Sequence, residues 1–186
     1  MTELGNFETC GEIELAVSDY FGTRTHIIVP NVSWGLFGYE LDMCILNEKS
    51  MYASEVEIKI SKADLKRDGK KWHKHEWNYG YIRQLWFAMP EKMECCTEFV
   101  PIDAGVILVD KKGKVRIVRK PKPNVNAKKW PIEQALKLAR LGTMRIWNLK
   151  WANHWLSLNK ARKARVELAE KQLDVNTLEK MMEVQS

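Results

Sequence analysis

Three observations predict an α/β fold with a mixed sheet and a helical C-terminal extension. First, Tyr52 to Ile60 alternates. Val56, Ile58 and Ile60 fall on one side and Glu55, Glu57 and Lys59 on the other, the period-two pattern of a strand with one apolar face. Second, Leu85 to Met89 is apolar throughout and closes at Pro90, as in a central strand covered on both faces. Third, a basic helical stretch starting at Ser61 lies between them, so the two strands read as a parallel crossover pair. Residues 1–122 are expected to form the α/β core. Residues 123–186 are expected to form a helical extension packed on the core or projecting from it.

The chain has 186 residues, 45% of them hydrophobic, which suits one core domain with an extension and excludes wholesale disorder. It contains no apolar run of membrane-spanning length and begins without a basic-then-apolar leader, so the expectation is a cytoplasmic protein of a bacterial or phage-infected cell, with no membrane partner. Cys10, Cys44, Cys95 and Cys96 include no C-x-x-C pair, which argues against a zinc or disulfide framework. The net charge of +6 is unevenly spread. Residues 1–57 carry ten acids against Arg24 and Lys49, a balance of −8, whereas residues 110–129 carry nine bases against Asp110, a balance of +8. An acidic block able to gather a cation, followed by a basic block, suits a protein that processes a polyanion.

The remaining elements follow in order. Ile13, Val17, Tyr20 and Phe21 recur at helical spacing and Gly22 is a stop, so a helix is expected over about 9–21. A short strand from Thr25 ends at Pro30, and residues 31–38 form a loop. Tyr39 to Leu46 alternates as a strand, with Asp42 and Cys44 opposite Leu41, Met43 and Ile45, and the turn Asn47–Ser50 makes an antiparallel hairpin with the next strand. Ser61 caps a basic helix expected to run to about Trp77, on which His73 and His75 do not share a face. Residues 91–104 read as an irregular loop, and Gly105–Asp110 with Lys114–Arg119 as a hairpin. A helix starts at Pro131, and Gly142 separates it from a helical tail in which Trp147, Trp151, Trp155 and Leu158 form a stripe. After Arg165 the tail turns acidic.

The hairpin brings Asp42 toward the charged side of the strand that bears Glu57 and Lys59. Glu-x-Lys alone is also an ordinary solvated strand pattern; the neighbouring Asp distinguishes it. Phosphodiester hydrolysis needs a hard divalent cation held by oxygen ligands and benefits from a lysine near the attacking water. Asp42, Glu57, the Ile58 carbonyl and Lys59 supply those parts.

Several segments together resemble the PD-(D/E)xK nuclease superfamily, and within it the MmcB-like DNA-repair endonucleases. They are Tyr39-Glu40-Leu41-Asp42, Glu55-Val56-Glu57-Ile58-Lys59, Ser61 to Trp72, Leu85 to Pro90 and Gly105 to Asp110, within a span of about 9–142. The resemblance implies a restriction-endonuclease-like α-β-β-β-α-β core and a Mg²⁺- or Mn²⁺-dependent DNA endonuclease active in repair, recombination or a phage or mobile-element context. It implies Asp42 and Glu57 as metal ligands and Lys59 as the catalytic lysine. The family's helical acid is matched by Glu12, because Glu12-Ile13-Glu14-Leu15 is similar to a motif of archaeal junction resolvases, with Glu14 as the alternative. Leu41 stands where the family has Pro, and Glu55 is an additional carboxylate on the same face. Lys62, Lys66, Arg67, Lys70, Lys71, Lys111, Lys112 and Lys114 are the candidate DNA-phosphate contacts. The competing readings are a nucleic-acid-binding protein that does not cut, and an assembly protein. The Trp147/Trp151/Trp155 stripe is the candidate surface for a homodimer or another protein partner.

Overall fold

A computed structural model of the chain describes residues 8–33, 40–68 and 80–183, with side chains to residue 167. Helix α1 spans Cys10–Phe21, and strands β1, β2 and β3 span His26–Val32, Leu41–Asn47 and Ala53–Ile58. Helix α2 covers Lys62–Asp68 and β4 covers Ile82–Pro90. A 3₁₀ helix over Glu91–Phe99 precedes β5 (Gly105–Val109) and β6 (Val115–Arg119), and α3 runs from Ile132 to Glu183.

The strands form one mixed sheet in the order β1-β2-β3-β4-β5-β6. β1, β2 and β3 pair antiparallel, β3, β4 and β5 pair parallel, and β6 returns antiparallel to β5. The carboxyl ends of the three parallel strands therefore coincide at one end of the sheet, beside the amino ends of β2 and β6.

α1 lays Ile13, Ala16 and Val17 on one face of the sheet, against Met43, Ile45, Val56, Ile58, Trp86 and Ala88. The opposite face is covered in two patches. Trp130, Ala135 and Leu138 pack on Val29, Cys44, Leu46, Ala53 and Ile82. Leu65 of α2 joins Met93, Cys96 and Val100 against Phe87, Met89, Val106 and Leu108. Because Glu55 and Glu57 alternate with Val56 and Ile58, both carboxylates belong to this second face.

Several expected elements differ in detail. The expected loop after Pro90 begins as a 3₁₀ helix, because Met93, Cys96 and Phe99 recur every third residue, the spacing that eclipses on such a helix. Gly142 does not interrupt α3; it packs close to Val29, where an added Cβ would lie 3.2 Å from Cγ2. The chain divides into compact units 1–142 and 143–186, beyond the expected boundary at 122, because the first turns of α3 are part of the sheet's covering. Tyr39, Lys70, Lys71, His73 and His75, and the expected helix beyond Asp68, lie outside the described residues. Among the described residues, no helix is long and apolar enough to cross a membrane.

Gly105 is required by a close approach. A Cβ there would lie 2.3 Å from Trp86 Cε3 and 2.8 Å from Pro121 Cδ. Gly105→Ala is expected to destabilise the protein by about 2 kcal/mol through overpacking; urea unfolding that gives wild-type stability would show that Trp86 yields freely.

Candidate functional site

The site forms where the carboxyl end of β3 meets the amino ends of β2, α1 and α2. Met43 pairs with Val56, so the antiparallel register places Asp42 next to Glu57. Both point to the face opposite α1's packing surface. The Ile58 backbone N–H donates to Asp42 Oδ2 at 2.7 Å, tying the two strands at the site. Lys59 lies one residue past β3 and extends the parallel ladder by donating its backbone N–H to the Ala88 carbonyl at 3.0 Å. Its Nζ donates to Glu57 Oε2 at 2.7 Å, and the two residues are only 6% and 7% exposed. Buried charges of this kind persist only when paired. The bland alternative, a solvated Glu-x-Lys edge, is therefore not what the chain builds.

Glu12 and Glu14 of α1 have different roles. Glu12 Oε2 accepts from Thr9 Oγ1 (2.6 Å), the Thr9 N–H (2.9 Å) and the Glu8 N–H (3.1 Å), while the Glu12 N–H donates to Thr9 Oγ1 (3.4 Å). This is a complete capping box, and the hydroxyl and backbone bonds hold the Glu12 carboxyl below its usual range. Glu12 is engaged at the helix start. Glu14 is the α1 acid whose charge, like that of Asp42, reaches the Cys10 thiol. The Cys10 thiol reports this: burial pushes it up first, then the charges of Glu14 and Asp42, with Lys59 opposing and Asp64 adding to the rise. Cys10 and Glu14 stand one turn apart on α1, on one helical face. Asp64 enters through the start of α2, where its N–H donates to Ser61 Oγ at 3.2 Å. Cys10 and Asp64 were not singled out as site residues by sequence reasoning; the i, i+4 spacing of Cys10 and Glu14 was the available signal.

Glu55 shares a face with Glu57 but opens elsewhere. It is 2% exposed and lines a cavity of about 250 Å³ with Ile82, Leu85, Pro101 and Ala104. Its charge, after burial, also raises the pKa of the buried Cys44 thiol. Glu55 thus lines a cavity whose lining does not include Asp42, Glu57 or Lys59.

Lys111, Lys112 and Lys114 lie in the turn after β5, at the same end of the sheet as Lys59. Two strand spacings separate β3 from β5, roughly 10 Å in the hydrogen-bonding direction. Asp110 rigidifies the turn: its Oδ1 accepts from the Lys112 and Lys114 N–H groups at 2.8 and 2.9 Å, which with burial opposing holds its carboxyl low. The ammonium groups of Lys62 and Lys66 sit over the Phe99 ring, 5.3 and 4.8 Å from its centroid, and Arg67 lies 3.6 Å from Asp64. All three side chains remain exposed on α2.

The oxygen donors of Asp42, Glu57 and the Ile58 carbonyl suit a hard cation such as Mg²⁺, which is commonly held by one or two carboxylates together with substrate phosphate. Among the described residues, no group of three or more His, Cys, Asp or Glu side chains is arranged to hold a metal ion.

No family model matches the chain. No curated protein matches it either. The fold is similar to that of a solved protein of unknown function from Silicibacter pomeroyi, with a TM-score of 0.55 and 16% identity over 82% of this chain and 93% of that one. At this identity the likeness concerns the fold alone.

The convergence of charge on Cys10 is testable without an activity assay. Its raised thiol pKa means less thiolate at a given pH, so the alkylation profile of Cys10 should sit at higher pH than that of a free thiol. Glu14→Gln and Asp42→Asn should each move the profile part of the way back, leaving the burial contribution, as followed by mass spectrometry of the Cys10 peptide. A Glu12→Gln protein should behave as wild type, and equal shifts in all three variants would contradict the placement of Glu14.

Proposed function

We propose that the chain is a divalent-metal-dependent endonuclease of the PD-(D/E)xK type that hydrolyses phosphodiester bonds in DNA. The observation that carries this reading is the buried Lys59–Glu57 pair beside Asp42 at one end of the sheet. Asp42, Glu57 and the Ile58 carbonyl would hold Mg²⁺ or Mn²⁺. Bound there, the ion would lower the pKa of a water and offset charge on the scissile phosphate.

The chain's own groups have distinct tasks. Glu57 pairs with the Lys59 ammonium and fixes its direction; an ammonium has three donors and can aim at water or a phosphate oxygen while bonded to Glu57. Asp42 binds the β3 backbone through Ile58 and so sets the spacing between the strands at the site. Glu14, rather than Glu12, serves as the helical acid. Lys111, Lys112 and Lys114 hold the DNA backbone from the same end of the sheet, giving position rather than sequence preference. The stripe of Trp147, Trp151 and Trp155 belongs to the second unit and serves assembly.

A second reading, a DNA-binding protein that does not cut, is favoured by one observation: no three-residue metal cluster assembles among the described residues. A supercoiled-plasmid assay with Mg²⁺ or Mn²⁺ separates the two. The endonuclease reading expects nicking that falls about 100-fold or more in Asp42→Asn and Lys59→Ala, the usual scale for losing one stabilising group, with salt-sensitive DNA binding retained. Wild-type nicking no greater than that of Asp42→Asn, with binding intact, would leave the non-cutting reading; absence of DNA binding at moderate salt would remove both.

A further inference from the structure

A polar cleft of about 480 Å³ lies at the end of the sheet opposite Lys59, where β1, β3 and β4 begin and β2 ends. Ser54, which lines it, precedes Lys59 by roughly 17 Å of chain at 3.3 Å per strand residue. No acid among the described residues lines this cleft. The turn after β2 shapes one wall. Asn47 Oδ1 accepts from the Lys49 and Ser50 backbone N–H groups at 3.1 and 2.9 Å. The Asn47 amide nitrogen is then left to donate to His26 Nε2 at 3.0 Å, so Nδ1 carries the ring proton and donates to Thr25 Oγ1 at 2.9 Å. Asn47 and His26 thus spend their hydrogen bonds on holding the wall.

The other polar groups keep donors in hand. Ser54 Oγ donates to Gln84 Oε1 at 3.3 Å, which leaves the Gln84 amide N–H groups. Ser50 Oγ accepts from the Tyr52 N–H at 3.4 Å, which leaves its own O–H. The Arg83 guanidinium lies over the Tyr52 ring, 4.3 Å from its centroid, and the Lys129 ammonium is 5.9 Å from the same centroid. A guanidinium covered on one face keeps its N–H donors at the edge. These donors of Arg83, Gln84 and Ser50 meet no acceptor among the described residues. Donors and cations without a carboxylate select an anion. A phosphomonoester brings three acceptor oxygens and nearly two negative charges at neutral pH, and arginine takes it in a two-pronged grip. A phosphate within a duplex carries one charge and belongs to a long exposed track rather than a concavity.

We propose that this cleft binds a phosphomonoester, with the Arg83 guanidinium gripping the phosphoryl oxygens, Gln84 and Ser50 donating to them, and Lys129 adding positive charge nearby. The inference does not rest on the endonuclease reading. Titration calorimetry of the full chain at low salt with adenosine 5′-monophosphate should give one site with a dissociation constant of about 1 mM or tighter. Inorganic phosphate should compete, and adenosine should not bind. Arg83→Met should weaken binding at least about 10-fold, the scale of losing hydrogen bonds to a charged group. Arg83→Lys, which keeps the charge without the fork, should weaken it less, and Lys112→Ala, at the other end of the sheet, should leave it unchanged. In the wild-type chain, phosphate should shift the nuclear magnetic resonance signals of the Gln84 side-chain amide and the Ser50 N–H, a readout that needs no variant to fold. The same group is carried by a free mononucleotide and by a DNA end. Tighter binding of 5′-phosphorylated than of 5′-hydroxyl hexathymidylate, exceeding that of the mononucleotide, would assign the DNA end; tighter binding of the mononucleotide would assign the free ligand. Absence of saturable mononucleotide binding, equal binding of adenosine, or undiminished binding in Arg83→Met would overturn the proposal.

Discussion

The interaction on which the site depends is the ion pair between Lys59 Nζ and Glu57 Oε2, 2.7 Å apart and almost wholly removed from water. Taking two charges out of water costs several kcal/mol each, and breaking such a pair from one side leaves an uncompensated charge. The surroundings hold both partners in place. Val56 and Ile58 anchor β3 beneath α1, so Glu57 must face the other way, and the Lys59 N–H is fixed on the Ala88 carbonyl of β4. The pair therefore rests on correct β3–β4 register, and a slip of one residue would turn both charges into the apolar layer.

The same register explains the location of the remaining charge. Three parallel strands end together, and each delivers its following turn to one end of the sheet. β3 is followed by Lys59 and the start of α2, and β5 by the Asp110-stabilised turn with its lysines. α1 contributes its amino end, with Cys10 and Glu14, while Thr9 and Glu12 close its cap. Acidic and basic groups that are well separated in sequence meet because the crossover topology brings the carboxyl ends of the strands together, the usual place for ligands in open α/β sheets.

Much of this was legible in the sequence. The alternation from Glu55 to Ile60 placed Glu57 and Lys59 on one face, and the short Asn47–Ser50 turn placed Asp42 beside them; both follow from a period of two and a tight hairpin. The apolar run at Leu85 correctly indicated a central parallel strand. The misreadings have local causes. Thr9-x-x-Glu12 carries the capping-box pattern, which outweighs the Glu12-x-Glu14 motif and assigns Glu12 to the helix end. The role of Glu55 was not legible, because period-two reasoning gives the face but not what covers it; Glu55 lines a cavity with Ile82, Leu85, Pro101 and Ala104. Gly142 looked like a break because propensity counts the missing side chain and not the close approach of Val29 that favours its absence.

The central claim is that Asp42 and Glu57 together make a cation-binding end to the sheet. Mn²⁺ titration followed by electron paramagnetic resonance tests it most directly, because loss of the free-ion signal reports binding whether or not DNA is cut. One Mn²⁺ per chain is expected in the presence of a short DNA duplex, weakened at least 10-fold in Asp42→Asn and Glu57→Gln and unchanged in Glu12→Gln. Mn²⁺ binding of equal strength in wild type and Asp42→Asn would contradict the account.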